Sequence, residues 1–467
     1  DGQWKAILEL GDTVDERLEA GDVRLSMGGE PTFVSIKDQE GEEWNTGAVG
    51  PTKKPLSEKL IRRLRARFGP KGLLHYGQGK WYPGEPLPRW ALGLYWRKDG
   101  VALWENDKYL ADESKDYGYT YEDAQKLVDE IAVQLRVDKK YVNTAYEDPV
   151  KYSLRERELP INVDPLDSRL EDPQEREQLL KVFSRGLNTP VGYVLPVERV
   201  YRHDGPAWQS GIWMLRGKRL YLAPGDSPIG LRLPLESLPW VKKEDYPYIH
   251  PSDPSATWHP RLPGRRALIV PQDKEDEKSQ KSRVAKKEKE KKRKAAESFE
   301  EVLEEERQNA IPQIGESAPW VIRTALCVEC RKGKLYVFIP PVSRIEDYID
   351  LINAIEHAAS VVDKPVLIEG YTPPHDPRIE YMKITPDPGV MEVNIQPAYS
   401  WREMVSNTTA IYEEARMLEL GTDKYQLDGR HTGTGGGNHI VVGGSTPANS
   451  PFLRRPDLLK SLIGFWM

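Results

Sequence analysis

Residues 273–310 read DKEDEKSQKSRVAKKEKEKKRKAAESFEEVLEEERQNA, a run almost purely charged that switches from basic to acidic. Such a segment has no apolar face with which to enter a core, so it is expected as an exposed helix or a disordered spacer. A solvated spacer accounts for the lysines more simply than an anion-binding tail, and the run is expected to be dispensable for the fold. It constrains everything else. The fold must be assembled from what lies on either side, with this run as a domain boundary or a long excursion from one. The chain of 467 residues is too long for one ordinary core. Four segments are expected: 1–140 and 311–467 as the two parts of one principal domain, 141–272 as a proline-rich stretch with a β-rich insert, and 273–310 as the charged linker.

After the charged run the pattern becomes regular. Strands are expected at 319–328, 334–340, 365–370, 380–385 and 390–395. A helix at 344–360 is expected to open with a Ser343/Glu346 capping box, and a helix at 401–418 with Ser400 and Glu403. Before the run, 22–36 reads as a strand interrupted by Gly28-Gly29. The stretches 57–68 and 121–135 carry apolar residues at helical spacing: Leu60, Ile61, Leu64 and Phe68 in one, Ala124, Leu127, Val128, Ile131 and Leu135 in the other. A short helix is expected at 172–184. Strands joined by short turns, with helices on one side, predict an α+β fold built on a mainly antiparallel sheet.

Composition excludes several classes. The formal net charge is −6, which disfavours a general nucleic-acid partner, and no apolar run approaches a membrane span. There are two cysteines, Cys327 and Cys330, which rules out a disulfide scaffold and favours a cytoplasmic setting. Their C-x-x-C spacing lacks the second pair a structural zinc would need. The flanks VIRTAL and KLYVFI read as two strands joined at 331–334, so both are expected as strand cysteines. The chain begins with Asp1 and stops on an apolar patch, which suggests both ends were cut from a longer protein.

Four short runs put carboxylates or amides where solvated charge is not expected. Glu30 follows two glycines in MGGEPTF, and Glu369 ends the apolar strand VLIEGY. In DPGVMEVNIQPA, Glu392 and Asn394 alternate with Val393 and Ile395; Val390, Val393 and Ile395 are expected to face a core while Glu392 and Asn394 face a cleft. A carboxylate on a buried sheet face is costly unless it holds a metal or pairs with a cation. The fourth run, DGRHTGTGGGNHIVVGG, is a Gly-rich loop leading into a strand, with Asn438 and His439 at its lip. It lacks the lysine of a Walker loop and the strand-before, helix-after context of a dinucleotide fingerprint. Glutamates with Asn and His suit Mg²⁺ or Mn²⁺ rather than structural zinc. Lys80, Arg378 and Arg430 are candidate phosphate-facing cations, and the loop amides could add a nest of donors.

The runs MGGEPTF, HYGQGKWYPGEPLPRW, DPGVMEVNIQPA and DGRHTGTGGGNHIVVGG together resemble the amidoligase region of large bacterial proteins that usually carry a transglutaminase-like domain ahead of it. That family is placed with the glutamine-synthetase-like carboxylate–amine ligases. The resemblance implies a glutamine-synthetase-like fold, ATP with Mg²⁺ or Mn²⁺, and a peptide or small amino/carboxylate substrate. Its partner would be the transglutaminase-like domain of the same longer chain. It implies metal ligands at Glu30, Glu369, Glu392, Asn394 and His439, catalytic roles for Glu30, Glu392 and Arg378, and nucleotide contacts at Lys80, Arg430, Gly433, Gly435, Gly436 and Gly437. The superfamily also needs a late arginine-plus-acid strand, before which this chain ends.

Three other readings stay open at this point. Glu392 to Asn394 also resembles the Glu-x-Asn metal strand of ATP-grasp ligases, which perform the same chemistry. A thiol enzyme would use Cys327 or Cys330. A non-catalytic peptide-binding module would use the aromatic run from Trp81 to Trp96 as its groove.

Overall fold

The computed structural model describes residues 2–83, 88–158, 161, 182–203, 205–246, 248, 259–265, 309–425, 428–434 and 439–467. The charged run, apart from its last two residues, most of the helix expected at 172–184, and Gly435, Gly436, Gly437 and Asn438 lie outside them. The fold is α+β. The chain divides into two units: Asp1–Asp107 with Pro251–Gly264 and Pro373–Met467, and Lys108–His250 with Arg265–Thr372.

In the first unit six strands run in the order Leu420–Gly421, Thr32–Ser35, Val390–Asn394, Ile379–Asp387, Trp90–Arg97 and Leu73–Gln78, each antiparallel to its neighbours. Alternation sorts their side chains onto two faces. Phe33, Leu92, Leu94, Met382, Ile384, Met391 and Val393 share one parity, and all are buried. That face takes the helices. Lys53–Phe68 packs on the strands Trp90–Arg97 and Ile379–Asp387 and on the helix Trp401–Arg416. It contributes the fully buried Leu60, Ile61 and Leu64, the stripe expected from the sequence. Phe33 meets Tyr412 of the second helix edge to face, with ring centroids 5.3 Å apart.

Local chemistry sets the helix ends. The first begins four residues earlier than its apolar stripe suggests, because the Glu43 carboxylate accepts from the amides of Thr52 and Lys53 and from the Thr52 hydroxyl. A carboxylate there satisfies orphan donors and complements the helix dipole. Gly69 ends the helix as expected. The second is capped by Ser400, whose Oγ accepts from the Glu403 amide at 3.1 Å. The strand near residue 30 breaks at Pro31 and not at Gly28-Gly29, which sit inside the strand Ser26–Glu30. Proline has no amide to give the ladder. The helix Gly2–Ala20 was not expected. It buries none of its residues, so no core stripe marks it.

The second unit has its own six strands, ordered Val366–Gly370, Lys334–Ile339, Ala325–Arg331, Gly192–Pro196, Asn143–Glu147 and Leu220–Leu222. Two pairings, Lys334–Ile339 with Val366–Gly370 and Asn143–Glu147 with Leu220–Leu222, are parallel. Helix Tyr121–Leu135, predicted to the residue, packs on the strands Ala325–Arg331 and Gly192–Pro196 and on the helix Ile345–Val362. The strand expected at 319–328 starts at Ala325. The cap position of the helix is Arg344, which makes no side-chain cap hydrogen bond, and not Ser343 as expected. The turn joining the strand Ala325–Arg331, which bears both cysteines, to Lys334–Ile339 has Lys332 and Gly333 at φ 48° and 67°, the pair of positive angles that matches hairpin twist.

The helix-bearing face sets the stability of the first unit. Leu64→Ala, which empties a fully buried site, is expected to cost about 3 kcal/mol. Arg63→Ala removes only a part-exposed ion pair with Glu414 and is expected to cost about 1 kcal/mol or less. Urea denaturation of the two variants checks the order.

Candidate active site

The opposite face of the first sheet carries a polar row beside buried residues such as Val34, Leu73 and Tyr95. The hairpin Ile379–Asp387/Val390–Asn394 closes through Pro388-Gly389, with Gly389 at φ 74°. Proline followed by a positive-φ glycine is the sequence of a tight two-residue turn. Its register places Lys383 opposite Asn394, Thr385 opposite Glu392, and Asp387 opposite Val390. Glu392 pairs in turn with Thr32. Val390 therefore shares the parity of Glu392 and Asn394, which corrects the expectation that it points away from them; it is buried at the turn end of that face. Toward the other edge, Thr385 aligns with Ala91 and Lys383 with Gly93, which itself pairs with His75. Arg89 reaches Asp387 at 2.5 Å and stacks on Tyr82.

Glu392 is held in this row. Thr385 Oγ1 donates to Glu392 Oε2 at 3.4 Å and accepts from Asn394 Nδ2 at the same distance. Burial pushes the Glu392 carboxyl above its ordinary 4.5, and the negative charges of Asp387 and Glu30 add to that; Lys80 and the Thr385 hydroxyl act in the opposite sense. The charges of Glu30 and Lys80 are thus felt at Glu392, while Lys80 itself is exposed.

The strand that follows the Gly-rich stretch pairs with the strand ahead of Pro31. His439–Gly443 is a strand, as expected, and pairs antiparallel with Ser26–Glu30 so that His439 stands opposite Glu30. His439 Nδ1 lies 3.0 Å from Glu30 Oε2, across a sequence separation of 409. With Nδ1–H donating to the carboxylate, Nε2 keeps the lone pair. A Cβ on Gly29 would stand 3.3 Å from the His439 carbonyl oxygen, and one on Gly389 would stand 3.5 Å from that of Thr434. Close approach of backbone is what those two glycines permit.

Other candidates sit elsewhere. Gly433 has open space around it and no positive φ, so nothing in its surroundings requires glycine. Arg430 pairs with Asp428 on the surface. His431 bonds the Asp423 carboxylate at 3.2 Å and packs on Tyr425, rather than holding loop backbone. Arg378 forks onto Asp376 and donates to the Pro260 carbonyl. It lies seven residues along the chain from Thr385, about 23 Å at strand rise, and the structure does not bring it to Glu392. Glu369 belongs to the second unit, where it is buried and shares Arg331 with Glu329. Burial raises its carboxyl, and Arg331 opposes that. Among the described residues no three His, Cys, Asp or Glu side chains are gathered as a ready metal cage.

The structure also bears on two open readings. Cys327 is fully buried and its thiol is pushed well up; burial pushes Cys330 to about 11. Neither suits a nucleophile, which needs thiolate. Of the aromatic run, Ala91–Tyr95 is buried in the sheet and does not form an open groove, although Trp81 is exposed. A groove of about 530 Å³, lined by Phe68, Lys71, Trp96, Lys98 and Glu380, includes strand residues of the helix-bearing parity and none of the polar row.

Sequence reading missed Thr385, Lys383 and the Arg89–Asp387 pair. The signal was present: in MKITPDPGVMEVN, Lys383, Thr385 and Asp387 alternate with Met382, Ile384 and Pro386, and Pro-Gly folds them beside Glu392 and Asn394.

The first unit thus holds Glu30, Glu392, Asn394 and His439 of the sequence-named candidates, with Thr385 joining Glu392 to Asn394 and His439 set against Glu30. A family described as "Putative amidoligase enzyme" matches residues 1–467, and the chain belongs to that family. The family supports an enzyme of the ligase class. No curated protein and no solved structure gives a significant match. No helix among the described residues is long and apolar enough to cross a membrane.

The raised Glu392 carboxyl gives a signed prediction. Its folded-state pKa lies above the unfolded value, so the charge costs stability at neutral pH and the cost disappears as pH falls below about 4.5. Glu392→Gln is expected to melt at a higher temperature than the parent at pH 7 to 8, with the gap closing on acidification. Calorimetric scans across that range check it; a variant less stable than the parent at pH 7 contradicts it.

Proposed function

We propose that the chain is an ATP-dependent carboxylate–amine ligase that joins an acid to an amine through an acyl phosphate, on a peptide or other amino/carboxylate substrate. The observation that carries this is the polar sheet face where Glu392, Thr385 and Asn394 form one hydrogen-bonded row, with Glu30 and His439 at its edge. Family membership supports the ligase class.

The donor chemistry fits a hard divalent ion: two carboxylates, an amide oxygen and a neutral imidazole. Glu392 and His439 Nε2 would hold it, with Glu30 both orienting the imidazole and offering its second oxygen. An ion so held neutralises charge on a phosphoryl group in transfer. The remaining roles belong to this chain's own groups. The Thr385 hydroxyl fixes one oxygen of Glu392 and so the direction of the other. Glu30 keeps the proton of His439 on Nδ1. Lys80 adds positive charge near Glu392, where a phosphate tail would be favoured. The Gly29 and Gly389 approaches hold the two sides of the site together.

The glutamine-synthetase-like form of this reading draws support from the antiparallel sheet with helices on one face. An ATP-grasp topology would give the same chemistry. The transglutaminase-like domain of a longer chain remains part of the proposal on the sequence resemblance alone, and a cytoplasmic setting on the two cysteines alone.

Titration of the protein with an ATP analogue in Mg²⁺ or Mn²⁺ tests the reading. Glu392→Gln and His439→Ala are each expected to weaken metal-dependent nucleotide binding at least tenfold, roughly the effect of losing one ligand or its orienting partner. His431→Ala, tied to Asp423, is expected to do less. Unchanged affinity in both Glu392→Gln and His439→Ala would remove the ligase reading.

A further inference from the structure

We propose that Lys383 is an anion-binding residue of the polar row, and that its ammonium receives the oxygens of a phosphoryl or carboxylate group brought to Asn394, Thr385 and Glu392. This deepens the ligase reading and rests on it for the source of the anion.

Three observations place the site. First, register puts Lys383 in the middle of the functional row, with Asn394 opposite it on one side and Gly93 on the other; Thr385, the partner of Glu392, lies two residues along the same strand and face. Second, the neighbours of Lys383 and Thr385 toward the other edge of the sheet bring no charge to this row. Gly93 and Ala91 lie beside Lys383 and Thr385, and Gly77 lies opposite Ala91 on the next strand. Gly93 must be small, because a Cβ there would come within 2.6 Å of the Tyr95 ring. The Tyr95 ring covers Gly93 and the His75 ring lies beside Gly77, so what meets Lys383 from that side is aromatic and brings no carboxylate. Third, Lys383 forms no ion pair or side-chain hydrogen bond among the described residues. Its one described contact is with the Tyr381 ring, 5.2 Å from the ammonium. Nearby cations differ: Arg89 is committed to Asp387.

Burial alone holds the Lys383 ammonium below its usual range, with no opposing carboxylate to restore it. A partly desolvated cation without a counter-charge gains from an anion more than a solvated one does. A phosphoryl oxygen or a substrate carboxylate would supply that counter-charge, while Glu392, on the neighbouring strand, would reach the same group only through the divalent ion.

The test separates the two sources and stands apart from the nucleotide experiment. Sodium tripolyphosphate and sodium glutarate are titrated, each without metal or nucleotide, into the parent, Lys383→Met and Lys383→Arg. Lys59→Met, on the exposed face of the helix Lys53–Phe68, serves as the charge control. Melting temperature verifies that each variant is folded. At least tenfold weaker tripolyphosphate binding in Lys383→Met, with recovery in Lys383→Arg and no change in Lys59→Met, supports the site and assigns it to phosphoryl. The same pattern with glutarate supports it and assigns it to a carboxylate. In either case a dimethyl-lysine NMR resonance, assigned by its loss in Lys383→Arg, should titrate at higher pH when the anion is bound. Equal affinities in the parent and Lys383→Met for both anions, or an unmoved resonance, overturns the proposal. Lys383-dependent tripolyphosphate binding in a protein that ignores metal-nucleotide would leave the anion site standing and remove the ligase reading; the converse would remove the anion site alone.

Discussion

The first unit depends on one packing decision. Phe33, Leu92, Leu94, Met382, Ile384, Met391 and Val393 are all spent on one face, against Leu60, Ile61 and Leu64 and the helix Trp401–Arg416. Residues of a strand alternate, so once that parity is committed to the core the other parity is fixed too. Glu392, Asn394, Thr385 and Lys383 face away from the helices because their neighbours cannot. A one-residue slip of the hairpin would exchange Glu392 for Met391 and destroy both core and site. The Pro388-Gly389 turn guards against that slip.

Buried cations secure the turn. Lys53 is fully buried and donates to the carbonyls of Gly47, Ala48 and Asp387, and burial pushes its pKa down to about 8. Lys424 donates to the carbonyl of Trp44 and to Asn45 Oδ1. The Gly389 amide in turn bonds the Gly47 carbonyl. The 42–50 segment is thus clamped between two lysines and lies against the hairpin turn. A Cβ on Gly389 would come within 2.7 Å of the Asn45 carbonyl oxygen, so this packing needs glycine there for space as well as for φ. The cost of burying these lysines is offset by several carbonyl acceptors each.

Much of this was legible because it is periodic. The stripes of 57–68 and 121–135, the Ser400 cap and the alternation of Glu392 with Val393 are local patterns with one physical solution. What failed had competing local signals. Ser343 with Glu346 has the spacing of a capping box, but the helix starts one residue further on. Gly28-Gly29 looked like a strand break, but Pro31 is the residue that lacks a donor. The helix Gly2–Ala20 keeps Trp4, Ile7, Leu10 and Val14 exposed, so burial could not mark it. At the site, Glu30, Glu392 and His439 were named from sequence, and the structure sets His439 against Glu30. Their pairing could not be read, since register across 409 residues is a property of the sheet. Arg378, named from the sequence and the resemblance, is occupied by the nearby Asp376. Lys383 and Thr385 were overlooked because neither belongs to a recognisable motif; only the register of the hairpin gives them neighbours.

The central claim is that the polar face of this sheet, and not another surface, holds the metal and nucleotide. Anomalous diffraction from crystals grown with Mn²⁺ and a non-hydrolysable ATP analogue tests it most directly. The account predicts an anomalous peak about 2.0–2.5 Å from Glu392 and from His439 Nε2, with the phosphate chain toward Lys80 and Lys383. A Mn²⁺–nucleotide complex bound elsewhere, with the Glu392 row left bare, would contradict it.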